Sequence, residues 1–329
     1  MHKVALLKGV TLKWLSPYLV LLGTLGLTAI TAIEIQHRES RDLEFTFKEK
    51  VKELKHLLHA RMKEQEQILL GAAGLFSAST AVDREEFKKY ILHLNLEQNF
   101  HGHLGVGYSA WIKPEELTSA IESVRAEGFP SFTITPTKPR TDYSMIVYIE
   151  PFSGRNLAAF GYDMYTETVR RTAMNYAVEK NVASLSGRVT LLQENNGAVQ
   201  AGMLMYLPIY KKNYPLSTSD ERWQALQGFV YSPFRMNDFM NGIFRANNKF
   251  LSFKVFSGMV RSRDKLFYNS AEQVDFSQAE YRQIDKIELY GQIWSLEVIN
   301  TPLLIAERKS DIVKLVVIVG VGLSFLLFL

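Results

Sequence analysis

Apolar positions recur along this chain in three rhythms. From Trp14 to Ile33 they continue for about 20 residues without a charge (WLSPYLVLLGTLGLTAITAI), the length a helix needs to cross a hydrocarbon layer. From Phe47 to Leu75 they return every fourth and third residue, at Phe47, Val51, Leu54, Leu58, Ile68, Ala72 and Leu75, with Arg61 and Gln65 in the other stripe positions. That spacing predicts one long helix, a stalk over 34–78. Beyond it, short apolar runs bounded by turn residues predict strands at 104–112, 132–135, 143–149, 158–162, 187–192 and 202–210, then at 228–231, 250–256, 265–268 and 290–299. Helices are predicted from Glu85 to Asn95 behind an Asp83 cap, from Pro114 to near Gly128, from Glu167 to Lys180 and from Pro233 to Phe244.

Helices and antiparallel strands therefore occur in two sets, separated by a polar turn segment from Lys211 to Glu221. The fold class this predicts is α+β: the stalk followed by two tandem modules, each an antiparallel sheet with helices against it, over 79–212 and 213–304. A second apolar run, LVVIVGVGLSFLLFL, makes 312–329 another helix of membrane character. A tail anchor is one reading of it. The preferred one is a second transmembrane helix cut off by a fragment boundary, because the run is short for a bilayer and stops without a flanking charge.

Charge then sets the topology. Lys3, Lys8 and Lys13 precede the first apolar run, whereas Glu34, Glu39, Asp42 and Glu44 are mixed with Arg38 and Arg41 after it. The positive-inside bias places residues 1–13 in the cytoplasm, 14–33 across the plasma (inner) membrane and about 34–311 outside it, in the periplasm. A cleaved signal peptide is the rival reading, but the apolar stretch is longer than a usual signal core and no small-x-small site closes it well. Two membrane helices around a large soluble block are the layout of a receptor that senses outside and acts inside. The stalk stripe has two open readings: a seam between the helices of a homodimer, or one helix lying along its own domain.

Composition removes several classes of function. Lys+Arg 38 against Asp+Glu 34 in 329 residues leaves a net charge of +4, with the basic residues scattered, so nucleic acid has no electrostatic support as a partner. The absence of cysteine excludes thiolate nucleophiles, Cys-based zinc sites and disulfides. Neither a nucleophile elbow, nor a phosphate loop, nor a His-Glu-x-x-His motif occurs, so neither catalysis nor a cofactor is expected of this segment. His101 and His103, with His93 upstream, are spaced to offer two imidazoles to a metal, yet without a nearby carboxylate surface histidines are the better reading and no metal is expected.

Several short stretches together carry a family resemblance. They are Gly74-Leu75-Phe76-Ser77-Ala78-Ser79 with Val82, Arg84 and Phe87; Gly105-Val106-Gly107-Tyr108; Tyr148-Ile149-Glu150-Pro151 and Asn156; Gly161-Tyr162-Asp163-Met164 followed by Arg170-Arg171-Thr172-Ala173-Met174; Leu185 to Leu191; and Leu207-Pro208-Ile209-Tyr210. In this order over roughly 75–300 the chain resembles the CHASE domain, the extracytoplasmic sensor of plant cytokinin receptors and of bacterial transmembrane signalling proteins. The resemblance implies PAS-like modules, a small ligand in the membrane-distal one, a dimer, and a cytoplasmic output domain: a diguanylate cyclase, a cyclic-di-GMP phosphodiesterase or a histidine kinase. It also implies an aspartate just after the central strand, where this chain has Phe152-Ser153-Gly154-Arg155, and a threonine matched by Ser186. The missing acid argues against cytokinin and for another small molecule, anionic or amino-acid-like. A module that only dimerises or binds a partner in the envelope is the alternative function.

The candidate ligand-binding residues are Tyr148, Glu150, Ser186, Thr190, Met203 and Met205. Met203 and Met205 share one strand face, and with the hydroxyls of Ser186 and Thr190 they make an apolar wall with polar handles, or else a filled core. Tyr148 and Glu150 share a face at the end of the central strand, where Glu150 either fixes a ligand's donors or caps the loop. Asp163 is expected to cap a helix or pair with Arg171, as architecture.

Overall fold

The computed structural model describes residues 3–96, 104–194, 199–244, 249–308 and 311–328. Helix α1 (Lys3–Ala78) is unbroken over 76 residues, roughly 110 Å at 1.5 Å per residue, so the membrane-type segment and the stalk are one rod. Among the described residues it is the one helix long and apolar enough to cross a membrane.

The apolar stripe of α1 is not free to meet another chain. Phe47, Val51, Leu54, Leu58, Met62, Ile68, Leu69 and Ala72 are buried in one continuous core with strands of both sheets. Gln65 is buried with them, 1% exposed. Of the two readings of the stripe, the structure shows the helix packed along its own domain, so the four-three spacing records an intramolecular groove and not a dimer seam.

Helix α2 (Arg84–His93) starts at a capping box in which Asp83 accepts from the Glu86 amide at 2.8 Å and Glu86 accepts from the Asp83 amide at 3.1 Å. Asp83→Ala is expected to cost about 1 kcal/mol, seen as a melting point a few degrees lower; an unchanged melt would show the box to be redundant. Arg84 fastens α2 to the sheet by donating to Glu127 and to the Val147 carbonyl, with the Phe129 ring 4.5 Å from its guanidinium.

The first module, distal along α1 from its apolar segment, follows, with β1 (Val106–Ile112), α3 (Leu117–Ala126), β2 (Tyr143–Glu150), α4 (Thr168–Lys180), β3 (Ser184–Leu185), β4 (Gly202–Tyr210), α5 (Ser219–Ala225) and β5 (Leu226–Arg235). Its sheet runs β2-β1-β5-β4-β3, every neighbour antiparallel. One face packs on α1 and α2. The other packs on α4 and forms a separate core around Met174, Ala177, Leu204, Phe229 and Tyr231. The proximal module holds α6 (Met236–Phe244), β6 (Leu251–Ser257), β7 (Leu266–Asn269), β8 (Arg282–Leu289) and β9 (Gln292–Asn300) in the order β7-β6-β9-β8. Two helices close the chain, α7 (Pro302–Arg308) and α8 (Ile312–Phe328).

The α+β class, the stalk and the two antiparallel modules are as expected; the boundary between the modules is not. Strand β5 lies between β1 and β4 in the middle of the distal sheet, so that sheet ends at Arg235 and not at 212. The polar stretch read as a linker is a loop inside the module, closed by the Thr218 cap of α5. The runs at 132–135 and 158–162 give one isolated bridge, Thr135 to Tyr162, and 187–192 gives another, Val189 to Gly202. Strand β8 is absent from the sequence reading because it is an edge strand whose exposed alternate residues include Arg282, Lys286 and Glu288, which guard an open edge but hide it from a hydrophobic pattern.

The modules meet at the β8–β9 turn. Tyr290 and Gly291 both have positive φ, 47° and 81°. The Tyr290 carbonyl accepts from the Leu185 amide of β3 at 2.9 Å, and its hydroxyl donates to Glu66 of α1 at 3.0 Å. Gly291 lies against the Tyr176 ring of α4, where a Cβ would fall 2.7 Å from a ring carbon. At the other end α1 and α8 pack antiparallel, with Gly320 against Thr28 and the Tyr18 and Phe328 rings 5.2 Å apart.

Candidate functional site

A row of directly paired residues crosses the distal sheet: Ser184 opposite Tyr206, Tyr206 opposite Tyr231, Tyr231 opposite Gly107 and Gly107 opposite Ile149. Directly opposite residues share a face, with Cβ atoms about 5 Å apart. That face is the one covered by α4. Gly107 has a steric reason to be glycine, since a Cβ there would sit 2.4 Å from the Tyr231 ring. The ring thus leans over β1, while Tyr206 stands beside it at 6.3 Å between centroids.

Arg170 comes down on this row from the first turn of α4. That turn is set by Glu167, which accepts from the amides of Val169 and Arg170 at 3.0 Å each. Arg170 is only 4% exposed. Its Nη1 donates to the Tyr162 hydroxyl at 3.2 Å and its Nη2 to the Thr190 carbonyl at 3.0 Å, and its guanidinium lies 5.3 Å from the Tyr162 ring centre. The third donor, Nε, has no hydrogen-bond partner, and neither do the hydroxyls of Ser184, Tyr206 and Tyr231. These are four of the seven buried, unpartnered side-chain atoms among the described residues, so the concentration is local. Burial raises the Tyr206 phenol, an effect the Arg170 charge opposes; Tyr231 is raised further, by burial and then by Tyr206. Both hydroxyls stay protonated, each able to donate and to accept.

The six residues expected from sequence are not gathered at one point. Met203 and Met205 are fully buried on the opposite face, in the core shared with α1. Tyr148 is on that face too, its hydroxyl donating to the Val82 carbonyl at 3.1 Å and its ring 5.5 Å from Phe87; burial pushes its phenol up to about 12. Glu150, 5% exposed, accepts from the Phe152 amide at 3.0 Å, and burial lifts its carboxyl above the usual range. Ser186 is buried and ties the chain after β3 to β4, accepting from the Leu204 amide at 2.9 Å and donating to the Gly187 carbonyl at 2.8 Å. Thr190 is exposed and reaches Arg170 through its backbone. His101 and His103 lie outside the described residues.

Asp163 is architectural: as expected it caps a helical turn, the short 3-10 stretch Met164–Thr166, but its charged partner is Arg140 and not Arg171. It is fully buried and accepts from Arg140, from the Ser144 amide at 2.9 Å and from the Tyr165 amide at 3.0 Å, whereas Arg171 donates to the Tyr165 carbonyl. Tyr206, Tyr231 and Ser184 are not among the candidates the sequence offers, and Arg170 enters there only within the family resemblance. One signal was there: the period of two that pairs Met203 with Met205 turns Tyr206 to the other face.

The family described as CHASE domain matches residues 80–268, more than half of the chain. No curated protein matches. Among solved structures, an extracellular ligand binding receptor from Desulfohalobium retbaense is 15% identical with a TM-score of 0.48, and the match covers 78% of this chain and 40% of that one. The periplasmic sensory domain of the Campylobacter jejuni chemoreceptor Tlp1 is 10% identical with a TM-score of 0.48, covering 83% and 99% of the two chains. The ligand binding domain of the Pseudomonas aeruginosa PAO1 amino acid chemoreceptor PctB, in complex with L-Arg, is 9% identical with a TM-score of 0.40, covering 76% and 96%.

Proposed function

The chain belongs to the CHASE domain family of extracytoplasmic sensors, and from that premise we propose that it is the sensing and membrane-crossing part of a receptor whose distal module binds a small molecule beneath α4. The observation that carries the binding reading is the set of unpartnered donors on Ser184, Tyr206, Tyr231 and Arg170 in an otherwise apolar core. A ligand there presses on α4, and α4 touches the proximal hairpin through Tyr176 and Gly291. The proximal module leads into α7 and α8, so the signal would leave along α8 relative to α1 toward a diguanylate cyclase, cyclic-di-GMP phosphodiesterase or histidine kinase in the cytoplasm. A ligand shifts such an equilibrium only by its differential affinity for the two states. The segment itself is read as non-catalytic and the receptor as a homodimer, whose interface lies away from the buried stripe of α1.

The topology is tested by reporter fusions to the full chain. An alkaline phosphatase inserted at Asn213, in an exposed turn, is expected to be active, and one fused after Leu329 inactive. Equal activity at both places would reject the two-crossing receptor.

A further inference from the structure

Resting on the reading that the α4 face of the distal sheet is the sensing site, we propose that the site selects a small carboxylate-bearing monoanion, held by Arg170 Nε and the hydroxyls of Ser184, Tyr206 and Tyr231. The argument is one of donors and charge. All four unpartnered groups present a hydrogen to the interior, and none of the tyrosines gives up its proton near neutral pH, since burial raises both phenols. Arg170 Nε can only donate and each of the three hydroxyls can donate as well as accept, so an acceptor-only group is able to meet all four. Two carboxylate oxygens accept up to four hydrogen bonds, and a bond from a guanidinium to an anion is about twice as strong as a neutral one.

Charge narrows the class further. Arg170 supplies one positive charge, and its two terminal nitrogens are already held by Tyr162 and the Thr190 carbonyl, which leaves Nε as its unpartnered donor. Among the described residues the acid whose field reaches Tyr206 is Glu167, and its two oxygens are occupied by the amides that open α4. With a single guanidinium at the row and Glu167 already in its field, a monoanion is the most negative charge the site suits, and a phosphate dianion would bring a further uncompensated charge into the interior. The surrounding side chains, Ile149, Met174, Val189, Leu191 and Phe229, are apolar and buried, so the remainder of the molecule is hydrocarbon and compact. An ammonium group on the ligand finds no buried carboxylate in this set.

The test uses the full chain in nanodiscs and three matched pairs of probes: acetate and acetamide, propionate and propionamide, benzoate and benzamide, at constant ionic strength. Binding is read by saturation-transfer NMR and by the shift in melting temperature. Each carboxylate is expected to bind at least tenfold more tightly than its amide. Tyr206→Phe and Tyr231→Phe each remove an unpaired buried hydroxyl, so without a probe they should melt at or above the parent temperature and still lose carboxylate binding tenfold or more. Arg170→Gln should abolish the preference for carboxylate over amide. If the amides bind as well as the acids, and both are lost in Tyr231→Phe, the sensing site stands and the anion class falls. If no carboxylate binds at 20 mM, or the phenylalanine variants melt well below the parent, the anion assignment is overturned and these tyrosines are core residues.

Discussion

Leu58→Asp is expected to unfold the extracytoplasmic region rather than to split a dimer. Leu58 is fully buried on α1, in the core that α1 shares with both sheets. The substitution loses the leucine's packing, worth about 2–5 kcal/mol, and adds an unpaired carboxylate in an apolar groove, so the total reaches about 5 kcal/mol or more. That is comparable with the whole stability of many domains. The melting point should fall by on the order of 10 °C or more, with loss of near-ultraviolet dichroism. Ala60→Asp, two residues further on and exposed, serves as the control and should cost less than about 1 kcal/mol. A variant at Leu58 that melts like the parent but sediments as a smaller species would return the stripe to the role of an intermolecular seam.

Asp163→Ala is expected to have the second largest effect, about 3–5 kcal/mol, because it strands three donors at once. The Arg140 guanidinium loses its carboxylate, and the buried amides of Ser144 and Tyr165 lose their acceptor. Asp163→Asn keeps an oxygen for one of them and should cost roughly half as much. Urea unfolding measures both, and a loss below about 1 kcal/mol for the alanine variant would mean that water replaces the carboxylate at no cost. Since the side chain faces Arg140 and not the Arg170 row, neither variant should alter the preference for carboxylate over amide in the fraction that folds.

These two residues also show where the sequence was legible. The position of Leu58 in a four-three stripe announced a long helix with one buried side, and it is one; the pattern is the same whether the groove belongs to a partner or to the chain itself. Asp163 announced a structural carboxylate, but its partner Arg140 is 23 residues away across an irregular segment, and only the fold brings them together. Strands with continuous apolar character, such as β4 and β9, were found within about two residues of their ends. The candidate site suffered most because strand alternation says which residues share a face and not which face is which. For Met203 and Met205 the pattern fits a pocket wall or a filled core equally, and the fold decides for the core shared with α1, while Tyr206 is turned to the other face.

The place of β5 sets a timetable for making this molecule. Gly107 pairs with Tyr231, so the central ladder of the distal sheet joins positions more than 120 residues apart. A chain that is exported as it is synthesised emerges with its N-terminal part first, and β1 and β4 reach the far side with an open edge each. Until residue 235 has followed, nothing fills the gap between them, and long-range pairing of this kind is slow. Two unsatisfied strand edges beside each other during that interval are a site for chaperones and proteases, so slowing translocation between residues 211 and 235 should raise degradation of the nascent receptor more than slowing it anywhere in the proximal module.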